Sequence, residues 1–571
     1  MTYSFAMDKI QSANQISQDE QTKLKKFITR RHPEYDGLIS HWEFLRACYD
    51  GGREWFKTNI FHYLKEGQKE YADRIYRAYR FNHTREVVDL VNKYLFKMEI
   101  ARNTDDASDA VKNFWKSASR NDLSINDFMK QVSVLTSIYG RIWIVVDNNK
   151  SEDAKTVAQE KEQNVKTYAY AVTPQNALDM SFDEEGELNW ILIHEQGRDD
   201  EDPLNSTGEF IDRFRLWERN TWTLFTLKRN GKSSATMKTA AQVVRQLVSA
   251  SPDDELNGVT TEVSAATMPD YGINNSQDMD GYDIIVEGPN FHNLGEVPVF
   301  NADNVITHEL YASTAMIDDV AYLDRAVANY LSNLDAIIQD QTFSQLVMPA
   351  QGILPGQEGY NKILEMGTSR IFTYDAENGG KPAFISPDPK QADILLKVIN
   401  KIINEIYHTV GLAGERTKED NALGIDNSSG VAKAYDFERV NSLLAAKADS
   451  LELIEHNLVE LVQLWNGEVE DETADRLIEY PNNFDVRGLY DEFEIAINLT
   501  KVFAPDSVRR KQMESLIDKL FPKLGKVAKE AMLTDLKKWP TISAEQMVMG
   551  APDTGVKAQD NINAVEQNSA Q

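Results

Sequence analysis

Through the first 135 positions, apolar and aromatic residues recur at steps of three and four, as in Trp42, Leu45, Cys48 and Tyr49 and again in Tyr71, Ile75, Ala78 and Tyr79. That spacing gathers side chains on one face of a 3.6-residue turn and predicts helices. Gly51-Gly52 breaks the pattern between the two groups. From Tyr139 the texture changes to short segments, several of them alternating: Arg141 to Asp147, Tyr168 to Val172, Leu188 to Glu195, Arg213 to Glu218 and Trp222 to Leu227. These read as strands, and the Asn, Asp and Gly residues between several of them predict a mostly antiparallel sheet.

Residues 229–281 are rich in Ser, Thr, Ala, Gly and Asn and read as a long surface insertion, with a short helix expected around Ala240 to Val248. A strand is expected from Tyr282 to Glu287, followed by the extended Gly295-Glu-Val-Pro-Val-Phe300. A long helix is predicted from Ile317 to Gln345, with Val320, Leu323, Val327, Tyr330, Leu334 and Ile337 on one stripe. At 1.5 Å per residue it would run about 43 Å. Pro349, Gly352, Pro355, Gly356 and Gly359 stop it, and a mixed unit of some forty residues ends at Pro387-Asp-Pro389. A second amphipathic helix follows, with Leu395, Ile399, Ile402, Ile406 and Val410 on one stripe and Lys397, Lys401, Asn404 and His408 on another. After Gly411 comes a charged loop, and Ser428-Ser429-Gly430 opens a third helix reaching Trp465. Two more helical patterns, Ser507 to Leu520 and Lys526 to Trp539, precede a polar tail expected to be flexible.

At 571 residues the chain has room for roughly three to four domains. With 42% hydrophobic and 26% charged residues, wholesale disorder is excluded. One cysteine, Cys48, rules out an intrachain disulfide and a cysteine-based structural zinc. Met1 to Gln15 lacks an apolar segment and no later run has the length of a membrane span, so a soluble, unprocessed chain with no membrane partner is expected. The net charge of −29 makes general phosphate-gripping DNA binding a poor reading.

Catalytic signatures are missing. The sequence has no Gly-x-x-x-x-Gly-Lys-Ser/Thr, no His-Glu-x-x-His and no Gly-x-Ser-x-Gly. Acidic pairs such as Asp199-Asp200, Asp253-Asp254 and Asp318-Asp319 are ordinary in a chain this acidic. Ser276-x-Asp278-x-Asp280-Gly281 with Glu287 has calcium-loop spacing, yet Ser holds the first ligand position and a strand follows, so an Asp-Gly turn is the preferred reading. No catalytic residue, metal or cofactor is expected.

The order of parts carries more information than any single motif. His41-Trp42-x-x-Leu45-x-Ala47-x-x-x-Gly51-Gly52, Tyr71-Ala-Asp-Arg74-x-x-Arg77-Ala78-Tyr79-x-x-Asn82, Tyr139-Gly140 with Val146-Asp147, Val172-x-Pro174 with Asp183-Glu-Glu-Gly186, Gly295-x-Val-Pro298-Val, and Ser429-Gly430-Val431-Ala432 with Ala445-Ala446-Lys447 occur in sequence. In this order they resemble the portal proteins of tailed double-stranded DNA bacteriophages of the siphophage-like type, a resemblance that covers roughly 40–545.

The resemblance implies an α+β multidomain fold with long stem helices, a mixed wing, a small α/β clip and a helical crown. It would divide the chain into a wing (1–302, with the 229–281 insertion, which has no counterpart in the family pattern), a first stem helix (303–345), the clip (346–389), a second stem helix (390–410), a tunnel loop (411–430), a long helix and wing return (431–484), a crown (485–550) and a tail (551–571). It further implies a homo-oligomeric ring, usually a dodecamer, at one capsid vertex of the virion, assembled in the host cytoplasm. Such a ring has no chemistry of its own. Its partners would be the terminase large subunit, head-completion adaptors, major capsid and scaffolding proteins, and double-stranded DNA in transit. Tunnel-loop residues Glu415, Arg416, Lys418, Glu419 and Asp420 would face DNA, and clip residues Lys362, Arg370 and Lys381 would meet partner proteins. Twelve copies would total roughly −350, which disfavours tight DNA binding by the channel wall. The competing expectation is a nucleic-acid-processing enzyme using clustered carboxylates and Mg²⁺.

Overall fold

A computed structural model describes residues 17–63, 66–149, 166–200, 202–204, 206, 208–229, 282–342, 345–349, 371–374, 383–385, 390–412, 430–468, 477–481, 484, 495–499, 505–520 and 526–537. The helical repeat of the N-terminal part becomes α1 (Gln18–Ile28), α2 (Tyr35–Asp50), α3 (Arg53–Asn59), α4 (Gln68–Arg77), α5 (His83–Leu95), α6 (Asp109–Lys116) and α7 (Ile125–Tyr139). Several starts are fixed by the side chain before the first turn. Ser17, Asn82, Ser108 and Ser124 each accept a hydrogen bond from a backbone N–H that has no partner inside its helix. Gly51-Gly52 separates α2 from α3.

Strand β2 (Arg141–Asn148) is the middle of a three-stranded antiparallel sheet, between β3 (Thr167–Val172) and β9 (Val299–Asp303). Trp143 lies opposite Val172 on one side and Asn301 on the other. The strand is buried from Arg141 to Asp147, which explains its unbroken apolar run Ile142-Trp-Ile-Val-Val146: both faces of such a strand are covered. Its entry depends on Gly140, at φ 79°, where a Cβ would stand 1.9 Å from the Ser313 carbonyl oxygen. Only glycine fits there.

Five further strands form an antiparallel meander in sequence order, β4 (Ala177–Phe182), β5 (Leu188–Arg198), β6 (Phe210–Glu218), β7 (Thr221–Arg229) and β8 (Tyr282–Phe291). β4 has no clear sequence signature, because a buried Asp179 interrupts its apolar pattern. Arg30 reaches that carboxylate at 2.5 Å. Arg229 pairs with Tyr282, so the chain leaves and re-enters the sheet at adjacent strand ends. The helix expected at Ala240 to Val248 and the Ser276–Gly281 turn lie outside the described residues. A two-residue antiparallel pair, β1 (Ala101–Arg102) with β13 (Ile478–Glu479), joins the chain near residue 478 back to the N-terminal part.

Three long helices follow the sheets: α8 (Asp318–Thr342), α9 (Lys390–Thr409) and α10 (Gly430–Trp465). Between α8 and α9, β10 (Gln345–Pro349) pairs parallel with β11 (Ile371–Tyr374) and antiparallel with β12 (Ala383–Ile385). Gln345, expected as the end of α8, is instead the first residue of β10, where it pairs with Ile385. The apolar Leu346-Val347-Met348 run is committed to a sheet ladder and α8 stops at Thr342. At 36 residues α10 is about 54 Å long, and it packs against β2, β3 and β9.

Segregated helices and mostly antiparallel sheets make the chain α+β. Residues Met1–Phe484 form one compact unit and Asp485–Gln571 a second. In the second unit α11 (Asp506–Leu520) packs on α12 (Lys526–Lys537), with Leu516 buried.

Candidate functional site

Helices α8 and α9 form an antiparallel hairpin closed by the three-stranded sheet. Their facing stripes are buried: Val320, Val327, Leu331 and Leu334 on α8, and Ile399, Ile403 and Ile406 on α9 with Val410 just past its end. Direction follows from two neighbours on α5. The Thr84 hydroxyl donates to Asp324 Oδ2 at 2.8 Å near the start of α8, while the His83 ring lies 3.1 Å from the Tyr407 hydroxyl near the end of α9. The foot of the hairpin therefore rests on α5.

A second stripe of α8 is polar and binds the helix to the N-terminal body at almost every turn. Asp318 accepts from the backbone of Ala315 at 2.8 Å and meets the His41 ring at 2.8 Å. Asp318 thus ties the first residue of α8 to the turn before it and to α2. One turn on, the Tyr322 hydroxyl lies 3.3 Å from the same imidazole. The Arg325 guanidinium stacks over Phe44, Tyr322 and Phe61 at 4.6, 5.0 and 5.3 Å. Asn329 donates to the Asn59 carbonyl at 2.9 Å and accepts from the Phe61 N–H at 2.9 Å. Ser332 accepts from Arg74 at 3.1 Å, and Arg77 reaches Asp335 at 3.8 Å and bonds Gln339. The spacing 318, 322, 325, 329, 332, 335, 339 is itself helical. The signal is present in the sequence, but a polar stripe reads by default as a solvent face.

Arg74 is the strongest rung. It is buried, holds Glu66 with two bonds of 2.7 Å, donates to the Phe61 carbonyl and lies 4.5 Å from the Tyr63 ring centre. Those charged hydrogen bonds keep the Glu66 carboxyl below its ordinary range. Beside this rung Phe61 and Tyr63 are exposed, and Tyr76, Tyr79 and Phe81 further along the chain are exposed too, Tyr76 at 79%.

The end of α9 is closed by Gly411 at φ 74°. Leu412 N–H donates to the Tyr407 carbonyl at 2.7 Å and Gly411 N–H to the His408 carbonyl at 3.1 Å, the two bonds that satisfy a helix terminus ending in a left-handed residue. Arg439 of α10 comes within 3.3 Å of the His408 ring, so the two helices that flank residues 413–429 approach each other there.

Buried polar groups fix α10 to the strands and helices it packs against. Glu455, fully buried, takes Arg102 at 2.5 and 2.9 Å and the Tyr480 hydroxyl at 2.7 Å. Burial first, and then the Glu455 charge, push the Tyr480 hydroxyl pKa well up. Lys447 donates to Thr136 Oγ1 at 2.7 Å and Asn304 Oδ1 at 2.6 Å, both neutral, and burial lowers its pKa to about 7. Beside it, Arg141 and Asp303 form a buried pair at 2.6 Å, and Ser450 donates to the Asp303 carbonyl at 2.6 Å. The Trp465 indole donates to the Val146 carbonyl at 2.9 Å.

The anticipated DNA-facing residues Glu415, Arg416, Lys418, Glu419 and Asp420 lie outside the described residues, as do Lys362, Arg370 and Lys381 of the anticipated docking surface. Among the described residues, no three His, Cys, Asp or Glu side chains converge as metal ligands, and no helix is long and apolar enough to cross a membrane. Glu287, the far end of the calcium-like spacing, lies on β8 opposite Leu224. A cleft of about 530 Å³ opens beside Glu34, Trp42, Tyr139 and Thr314, with His41 and Asp318 on its wall already bonded to each other. No protein-family model matches the chain, and no curated protein matches it either.

Proposed function

We propose that this chain is the subunit of a phage portal: a ring at one capsid vertex through which double-stranded DNA is packaged and ejected. The observation that supports this reading best is the α8–sheet–α9 hairpin followed by the 36-residue α10. One small sheet is carried at the end of paired helices, and the next helix returns to back the wing sheet. In this reading α8 and α9 are the stem, the three-stranded unit is the clip that meets the terminase large subunit and later the head-completion adaptors, and residues 411–430 are the tunnel loop. The second compact unit is the crown. Capsid and scaffolding proteins meet the wing. The chain performs no catalysis, and its setting is the virion, with the host cytoplasm during assembly.

Exposed aromatic rings between residues 61 and 81 also support oligomerisation. Phe61, Tyr63, Tyr76, Tyr79 and Phe81 are all exposed, with Tyr79 and Phe81 edge to face at 6.3 Å, and aromatic residues are favoured at the centre of protein interfaces. Negative-stain imaging of the purified full chain tests the reading. Rings with a central hole are expected, with a particle mass near twelve times 64.8 kDa, about 780 kDa. Compact particles of one or two chains would refute it.

A further inference from the structure

The charged face of α9 takes no part in the hairpin packing. Turning 100° per residue, Lys390, Lys397, Lys401, Asn404 and His408 fall within an arc of about 60°, opposite Ile399, Ile403, Ile406 and Val410. All five are exposed, while the opposite stripe is buried. From Lys390 to His408 the line is about 27 Å long, and Arg439 extends it at the His408 end. Two carboxylates flank it: Asp393 on one side and Glu405, hydrogen-bonded by Lys401, on the other. Four cations against two carboxylates give this face a positive balance in a chain of net charge −29.

We infer that this stripe is a contact rail for the phosphate backbone of duplex DNA. The inference rests on the conduit reading for its setting and adds the helix face that would line the passage. A narrow row of long cationic side chains with an asparagine among them suits phosphate oxygens, which are contacted without regard to sequence. Subunit interfaces are built differently, around a depleted-charge apolar centre. Within the arc no residue is apolar, and Ile394 stands at its edge, whereas the exposed aromatic rings between Phe61 and Phe81 fit a second copy far better. The flanking carboxylates and the acidic remainder of the chain keep each contact weak and salt-sensitive, so DNA can slide along the stripe.

The test uses the full chain and a fluorescent 20-base-pair duplex of arbitrary sequence, with anisotropy followed from 50 to 200 mM salt. The wild type is expected to bind weakly at low salt and to lose binding as salt rises. Lys397→Gln with Lys401→Gln should weaken binding at 50 mM salt at least threefold and lower the log–log salt slope by about 2, since each neutralised phosphate contributes about 0.9. Lys397→Arg with Lys401→Arg should restore both values. Ring images of the same samples separate the two claims. Loss of binding by the Gln variant supports the rail whether or not rings form, and absence of rings in the wild type refutes only the conduit. Unchanged duplex binding by the Gln variant, no binding by the wild type, or rings that fall apart on the Gln changes would each overturn the rail, the last by making the stripe a contact between copies.

Discussion

Helices α8 and α9 pack on each other but are held in different ways. α8 is gripped on two sides, by the apolar stripe against α9 and by a polar ladder that runs from Asp318 to Gln339 against α2, α4 and residues 59–61. α9 is gripped along Ile399, Ile403, Ile406 and Val410 and, near its end, through the buried Tyr407, whose hydroxyl meets His83 and Glu86 of α5, while the face that carries Lys397 and Lys401 is exposed. The difference teaches which helix is the fixed post and which is the presented surface. Polar bonds at each turn specify register and rotation, which apolar contact alone leaves adjustable.

The shared apolar seam should be the most sensitive point. Ile406→Asp places a charge without a partner at a fully buried position and is expected to cost on the order of 4 kcal/mol, against about 1 kcal/mol for Ile406→Val. Denaturant midpoints of the two variants check this; equal midpoints would remove the seam. Next, Arg74→Ala strips the ladder of its central rung and leaves Glu66 without its cation, with an expected loss of about 3 kcal/mol. A loss below about 1 kcal/mol in the same assay would mean that the ladder does not hold α8.

Lys447 sharpens the comparison from the side of α10. With the folded pKa near 7 and the unfolded one near 10.5, the unfolded chain binds the extra proton between those values. Stability therefore rises with pH across that window, by about 2–3 kcal/mol between pH 7 and pH 9 from this group alone. Lys447→Met should abolish that rise, as read from unfolding free energies at the two pH values; a rise as large in the variant would assign the effect to other groups. Asn329→Ala, which removes two hydrogen bonds of the ladder, should cost only about 1 kcal/mol. Lys397→Gln with Lys401→Gln, on the open face of α9, should change the midpoint by less than about 0.5 kcal/mol.

The same contrast marks what the sequence could reveal. The stripes of α8 and α9 were legible because apolar residues at helical spacing mark the face a helix buries. Even so, the centre of the α9 stripe runs through Ile403 rather than Ile402: at 100° per residue Ile402 falls toward the edge of the arc defined by Ile399, Ile406 and Val410, and it is only half-buried. The polar ladder was written in the sequence with the same period but could not be told from a solvated face, since what distinguishes them is the partner, and those partners lie some 260–280 residues away. β4 was hidden for a similar reason, its Asp179 making sense only beside Arg30. The buried charges of α10, Lys447 and Glu455, resemble surface residues until Thr136, Asn304 and Arg102 are in place.

The most direct measurement is a cryo-EM reconstruction of the assembled full chain at side-chain resolution. The account predicts a closed ring in which α9 lines the central hole, with Lys397 and Lys401 toward the lumen, while α8 stands behind it, joined to the N-terminal body through Arg74 and Asn329. A particle without a central hole would contradict the conduit, and a ring in which Lys397 and Lys401 are buried between subunits would contradict the division of roles between the two helices.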